Sequence, residues 1–101
     1  MSRYRVELSP RARAELRSIT TWWRENRFDP EQFDRELAMA VTLLAEHAEA
    51  GAPFLRARRP GVRRMLLRKS QQYLYYEIDP SSEVVHVLAI RHTARRAPPR
   101  L

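Results

Sequence analysis

The order of hydrophobic periodicities along this chain is the feature that most constrains its fold. Residues 4–8 alternate apolar and polar side chains, which indicates one half-buried strand. Two helical segments follow, and three strand-like segments over 62–68, 73–78 and 84–92 occupy the second half. The order β-α-α-β-β-β predicts an α+β fold, in which a helical hairpin packs on one face of an antiparallel sheet.

Capping residues mark the start of both predicted helices. Ser9 supplies a hydroxyl cap and Pro10 suits the first helical position, and apolar residues at helical spacing extend this helix to about residue 26. Asp29 and Pro30 begin the second helix in the same way, with Gln32 placed to reach back to the cap.

The three later strands predict how the sheet is built. The last of them, 84–92, is apolar on both faces, so we expect it in the centre of the sheet. Alternation sends Tyr73 and Tyr75 to one face and Tyr76 to the other. Residues 93–101 are expected to form a basic tail. The whole chain, 1–101, is long enough for one domain, and the face without helices is expected to be free or to receive a partner.

Positive charge is concentrated in the second half of the chain. Residues 1–50 carry eight arginines and nine acids, whereas residues 51–101 carry eleven cations and three acids. Between Arg56 and Lys69 there are seven cations and no acid. A solvated face without a binding role normally mixes the two signs, so this run indicates a site for an acidic partner. Nucleic acid and an acidic protein segment are the two alternatives.

Several functional classes are excluded by residue type. The absence of cysteine excludes disulfides and thiolate nucleophiles, and the only glycines, Gly51 and Gly61, cannot form a Gly-rich phosphate loop. The three histidines lack the spacing of metal ligands, so we expect no metal and no cofactor. No apolar segment is long enough to cross a membrane and no signal peptide is recognisable, so we expect a cytoplasmic protein.

The end of the last strand carries the one plausible acid–base group. His92 follows Arg91 and precedes Arg95 and Arg96. A histidine among arginines can move a proton at an RNA 2′-hydroxyl while the arginines stabilise the phosphate. The alternative, which residue type alone favours, is a strand-end histidine that is hydrogen-bonded to the backbone.

Five segments, in their order and spacing, resemble the RelE/ParE superfamily of toxins from type II toxin–antitoxin systems. They are residues 4–12, 60–64, 73–79 and 87–92, together with Arg95-Arg96. The resemblance covers almost the whole chain and implies the fold described above, with a curved antiparallel sheet behind the helical hairpin. It also implies a cognate antitoxin as partner, in a toxin–antitoxin hetero-oligomer.

The resemblance implies two possible mechanisms. RelE-like members cut mRNA on the ribosome without metal, using basic residues and a histidine or tyrosine near the chain end. ParE-like members poison DNA gyrase. Leu74 stands where RelE-like nucleases usually carry an arginine, and no tyrosine follows His92. We therefore expect a ParE-like toxin that acts by binding gyrase. A RelE-like endoribonuclease and an inactive binding module on the same fold are the alternatives.

The candidate site residues follow from these expectations. If the chain is a nuclease, its catalytic candidates are His92, Arg91, Arg64 and Arg63. Eight arginines are expected to bind the target or the antitoxin: Arg58, Arg59, Arg63, Arg64, Arg68, Arg91, Arg95 and Arg96. Leu66, Tyr75 and Trp22 exceed what a core of this size needs, so we expect the antitoxin to cover them.

Overall fold

One five-stranded sheet carries two helices on one of its faces. The computed structural model describes residues 3–95 and 97–101, and the strand order is β1-β5-β4-β3-β2. The elements are β1 (Arg5–Leu8), α1 (Pro10–Asn26), α2 (Gln32–Glu46), β2 (Ala52–Pro53), β3 (Arg63–Leu67), β4 (Gln72–Asp79) and β5 (Val84–His92). The predicted α+β arrangement is confirmed, and β5 is interior, between β1 and β4, as expected.

The sheet is mixed, whereas the sequence predicted an antiparallel one. The meander of β3, β4 and β5 is antiparallel, but β1 pairs with β5 in parallel, with Arg5 opposite Val84. The reason is β2, which the sequence did not predict. This two-residue strand runs antiparallel to β3 and adds one reversal of the chain before the meander. Pro53 is tolerated there because β2 is an edge strand.

The first helix begins as predicted and the second does not. The Ser9 hydroxyl accepts a hydrogen bond from the Ala12 amide at 3.0 Å, with proline in the first turn. The cap residue of α2 is Glu31, and its side chain makes no capping hydrogen bond. The expected cap, Asp29, is instead engaged by the Arg35 side chain.

The two faces of the sheet are packed differently. The helix-side face holds the larger core, which includes Phe33, Leu44, Leu74, Tyr76 and Val85. The opposite face, here called the second face, carries a smaller cluster of Phe54, Val62, Tyr75 and Ala89. The predicted division of Tyr73 and Tyr75 from Tyr76 is therefore confirmed. Tyr75 is only 2% exposed, so its assignment to a surface awaiting a partner was wrong, because Phe54 already covers its ring.

A bulge and the chain end shape the second face. Tyr75 pairs with Ala89 and Tyr76 with Val87, which leaves Leu88 without a partner in β4. Leu88 therefore joins Ala89 on the second face. The predicted tail also folds back over this face, where the Arg58 amide donates to the Leu101 carbonyl at 2.8 Å. No helix within 3–95 and 97–101 is long and apolar enough to span a bilayer.

Candidate binding site on the second face of the sheet

A small cavity on the second face is lined by several of the predicted basic residues, and we call it the basic cleft. Its volume is about 140 Å³, and it lies where β3, β4 and β5 meet the residues that follow His92. The described residues that line it include no acid. The residues that line it include four arginines, two tyrosines and the histidine: Arg56, Arg64, Arg91, Arg95, Tyr73, Tyr75 and His92.

Arg64 is held in the basic cleft by aromatic rings. Its guanidinium carbon lies 4.0 Å from the ring centroid of Tyr73 and 5.3 Å from that of Phe54. Cation–π contacts of this kind fix the orientation of a guanidinium without using its N–H donors. Arg64 can therefore present those donors to a phosphate or a carboxylate.

Arg91 is anchored by neighbouring groups. Its guanidinium lies 4.0 Å from a carboxylate oxygen of Glu15, and it donates to the Ala97 carbonyl at 3.4 Å. The other oxygen of Glu15 accepts the Ile90 amide at 3.0 Å, so one acid from α1 supports both the edge of β5 and the cleft. Sequence reasoning missed Glu15. The one sequence feature that could have indicated Glu15 is its i,i+4 spacing from Arg11, with which it forms an ion pair at 3.6 Å.

The ring of His92 has one nitrogen occupied. Nδ1 accepts a hydrogen bond from the Ala94 amide at 2.9 Å. This partner assigns the ring proton of the neutral imidazole to Nε2. In that form Nε2–H is the group that can donate to a ligand, and the Nδ1 lone pair is engaged by the Ala94 amide. The backbone-bonded histidine expected as the alternative is the one observed.

Other predicted arginines lie outside the basic cleft. Arg63 donates to the carbonyls of Gly51 and Glu49, at 3.1 Å each, and so ties the loop after α2 to β3. Arg59 pairs with Glu77 at 3.3 Å. Arg58 and Arg68 are exposed but do not line the cleft. Arg96 falls outside the described residues.

Leu74, on which the expected choice between the two mechanisms rested, faces the core. Leu74 is fully buried on the helix side of β4. A side chain at this position cannot reach the basic cleft, since successive strand residues point to opposite faces. The cleft positions of β4 are Tyr73 and Tyr75. Leu74 is therefore weaker evidence against mRNA cleavage than the sequence indicated.

Acidic and metal-binding chemistry adds little to this site. Over residues 3–95 and 97–101, no three His, Asp or Glu side chains are grouped to hold a metal ion. Among the described residues, Asp79, the last residue of β4, has a displaced pKa. A hydrogen bond from the Ser81 hydroxyl, followed by one from the Ser82 amide, lowers its pKa below the usual value.

Comparison with known sequences identifies one family. Residues 6–97 match the profile described as the ParE toxin of the type II toxin–antitoxin system, parDE. This range contains every strand and helix except the first residue of β1. A comparison with curated proteins finds no match.

Comparison with solved structures finds the same fold in toxin–antitoxin systems. A chain of the chromosomal ParDE system from P. aeruginosa superposes with a TM-score of 0.68 at 20% identity, covering 88% of this chain and 95% of that one. A chain of the RelBE2 toxin–antitoxin complex from Mycobacterium tuberculosis gives 0.65 at 23% identity, covering 94% and 97%. One from the intact E. coli RelBE complex gives 0.53 at 26% identity, covering 91% and 99%.

Proposed function

Because the chain belongs to the ParE toxin family of type II toxin–antitoxin systems, we propose that it binds and poisons DNA gyrase and that a cognate antitoxin neutralises it. Under this proposal it works in the cytoplasm, where its target lies. It is a binding toxin, and the basic cleft makes contact with the target.

The observation that carries this proposal is the hydrogen bond from the Ala94 amide to Nδ1 of His92. A nuclease of this type needs a group that takes a proton from the attacking hydroxyl. The neutral imidazole lacks a free lone pair for that task, and Arg91 is already next to Glu15. The cleft thus offers oriented cations for binding and a histidine suited to donate a hydrogen bond.

One observation favours a second candidate, a ribosome-dependent endoribonuclease. Arg64, Arg91, Arg95 and His92 line a single cavity together with Tyr73. Converging cations can stabilise the charge of a phosphate undergoing transesterification, and tyrosine can stack on a base. A ligand that displaced the Ala94 amide would free Nδ1 and complete such a site.

Antitoxin binding is proposed from the neighbours and from exposed apolar groups. Two of the similar chains come from complexes named as toxin–antitoxin complexes. In this chain Trp22 is 44% exposed and Leu66 is 40% exposed. Burying such groups against a partner is favourable, and neighbouring arginines would pair with its acids.

The decisive experiment measures both activities on the same protein. Purified chain is incubated with gyrase and plasmid, and double-strand breaks are counted. In parallel, ribosome-bound mRNA is mapped for cuts. We expect gyrase-dependent breaks, intact mRNA, and strong loss of breakage in Arg64→Met. The exposed α1 variant Arg13→Met is the matched control and should retain full activity.

His92→Gln separates the two candidates. Glutamine retains a hydrogen-bond donor but not acid–base chemistry, so a binding toxin should lose little activity. A general acid or base contributes about 10²–10⁴-fold, so a nuclease should lose nearly all cleavage. Ribosome-dependent cuts that disappear in His92→Gln would overturn the gyrase proposal.

A further inference from the structure

A tight turn at the end of β5 carries two side chains of the basic cleft. It spans residues 92–95, and we call it the cleft turn. Its first and last residues, His92 and Arg95, both line the cleft. Within it, the Arg95 amide donates to the His92 carbonyl at 3.2 Å, and the Ala94 amide donates to His92 Nδ1 at 2.9 Å. The presentation of both cleft side chains therefore depends on how this turn is held.

Gln71 joins the cleft turn to the neighbouring loop. It is the last residue before β4, and the β4–β5 ladder ends at the next pair, Gln72 with His92. The Gln71 carbonyl accepts the Thr93 amide at 2.9 Å, and its side-chain oxygen accepts the Thr93 hydroxyl at 3.4 Å. Its side-chain NH2 donates to the Arg68 carbonyl across the loop. One residue thus links the two loops through its main chain and its side chain.

The backbone of Gln71 is in the left-handed region, with a φ of 57°. Residues with a side chain rarely adopt this region, whereas glycine does so freely. Glutamine is therefore less favourable than glycine for the backbone at this position. Backbone strain of this kind persists where surrounding contacts impose it, and it is often found at functional sites. The conformation thus points to a task for the Gln71 side chain.

The loop that contains Gln71 is itself fixed from α2. Both carboxylate oxygens of Glu36 are engaged by it. One accepts the Lys69 amide at 2.7 Å, and the other accepts the amide and the hydroxyl of Ser70, at 2.8 and 2.6 Å. Hydrogen bonds to a charged acceptor are stronger than those between neutral groups. The loop therefore gives Gln71 a firm base from which to hold the cleft turn.

The other hairpin of the meander offers a matched comparison. Glu83, just before β5, also has a positive φ, of 54°. It lies at the opposite end of β5 from the cleft turn. Its carbonyl accepts the Arg5 amide, a contact that glycine would retain. Gln71 and Glu83 thus share a backbone conformation and differ in their connection to the basic cleft.

We propose that Gln71 is a positioning residue for the basic cleft, which holds the cleft turn so that His92 and Arg95 are presented together. Gln71 is not among the residues that line the cleft, so it acts through the turn and does not touch the target. The inference rests on the proposed function for what the cleft binds. It adds a residue outside the cleft on which the affinity for that target depends.

The first test needs no target and uses nuclear magnetic resonance of Gln71→Gly. The ring signals of His92 should shift, and the Ala94 amide should exchange with solvent roughly tenfold faster, because the turn opens more often. The rings of the other two histidines, His47 and His86, are internal references for the variant. In Glu83→Gly the signals of His92 and Ala94 should match those of the parent chain.

The second test titrates gyrase-dependent DNA breakage with each variant. In Gln71→Gly the toxin concentration for half-maximal breakage should rise roughly threefold to tenfold, because the binding groups are held less well. Maximal breakage should stay the same, and Glu83→Gly should match the parent chain. Thermal unfolding of Gln71→Gly should stay within a few degrees of the parent, since relief of backbone strain offsets the lost hydrogen bonds. A purely structural role would instead lower the melting temperature and leave the affinity of the folded toxin unchanged.

Two further variants connect Gln71 with the cleft turn. In an Arg95→Met background, Gln71→Gly should cause a smaller additional loss of affinity than in the parent chain, because one of the positioned side chains has gone. Thr93→Val removes the hydroxyl that donates to Gln71 and should also weaken binding. Thr93→Ser retains that hydroxyl and should restore most of the affinity.

The outcomes that overturn the inference differ from those that overturn the proposed function. Unchanged His92 signals and Ala94 exchange in Gln71→Gly would show that Gln71 does not hold the turn. Changed signals with an unchanged half-maximal concentration would show that the turn does not matter for the target. A parent chain that produces no breakage contradicts the proposed function, and the resonance measurement then decides the inference alone.

Discussion

The two faces of the sheet are built from the same strands but differ in burial and in charge. On the helix side, Leu74 and Tyr76 are fully buried in a continuous apolar core. On the second face, Tyr73 and Tyr75 have arginines beside them and form a smaller cluster under a loop and the chain end. Alternation along β4 thus places side chains of the apolar core and side chains of the basic cleft at successive positions. Substitutions at neighbouring positions should therefore differ in whether they lower stability or activity.

The largest difference in the free energy of unfolding is expected between Leu74→Arg and Tyr73→Arg. An arginine at position 74 would bury an unpaired charge and overfill the core, and we expect a loss of more than about 4 kcal/mol. Since small domains are stable by about 5–15 kcal/mol, this variant should lose a large part of its stability. Tyr73→Arg, half-buried on the second face, should stay close to the parent chain. Circular dichroism and urea unfolding measure both. A Leu74→Arg variant that unfolds at the same urea concentration as Tyr73→Arg would show that the two faces are not distinct.

The next largest difference in stability is expected when a single tyrosine hydroxyl is removed from one face or the other. The Gly51 amide donates to the Tyr76 hydroxyl at 2.9 Å in a buried setting. Tyr76→Phe leaves that amide unpaired and should cost about 1–3 kcal/mol in the free energy of unfolding. Tyr73→Phe on the second face should cost much less. Equal losses in the two variants, measured by urea unfolding, would contradict the assignment of stability to the helix side.

Adjacent arginines of β3 sharpen the comparison further. Arg63 supports the loop after α2 through two carbonyls, so Arg63→Met should cost about 1–2 kcal/mol of stability. Arg64→Met should alter stability by less than about 1 kcal/mol, because it loses only cation–π contacts. Toxicity in a growth assay should fall strongly in Arg64→Met. It should fall in Arg63→Met only as far as the folded fraction does.

The smallest effect concerns pH. Hydrogen bonds from Ser81 and Ser82 lower the pKa of Asp79, so the folded state favours its carboxylate form. The stabilisation is present above the unfolded pKa of about 3.9 and is lost as the pH falls through the lower folded pKa. The melting temperature of the parent chain should therefore drop more between pH 5 and pH 3 than that of Asp79→Asn. If the melting temperatures of the parent chain and of Asp79→Asn fall equally with pH, Asp79 does not contribute to the pH dependence of stability.

Most of the fold was predictable because periodicity directly reflects burial. The pair Ser9-Pro10 correctly predicted the start of α1. The alternation along β4 correctly predicted which of its tyrosines share a face. Strand direction was not predictable, because it depends on β2, and a strand of two residues has no periodicity. The sequence also could not show that Asp29 prefers the Arg35 side chain to a capping position.

The candidate site was predictable in composition but not in arrangement. The basic run predicted a charged surface, yet alternation along β3 separates Arg63 from Arg64. Arg91 and His92 come from β5 and meet Arg64 only through sheet pairing. Glu15 enters from α1, 75 residues before the Ile90 amide it accepts, so no local pattern indicates it.

The parallel pairing of β1 with β5 has a consequence for how the chain folds. The Ser9 hydroxyl at the end of β1 donates to the Leu88 carbonyl, a sequence separation of 79. Contacts this distant require a large loop to close and slow folding, whereas the β4–β5 hairpin can form early. During synthesis the N-terminal strand must wait until β5 has been made. We therefore expect the nascent toxin to be incompletely folded, and harmless to the cell that makes it, until β5 has left the ribosome.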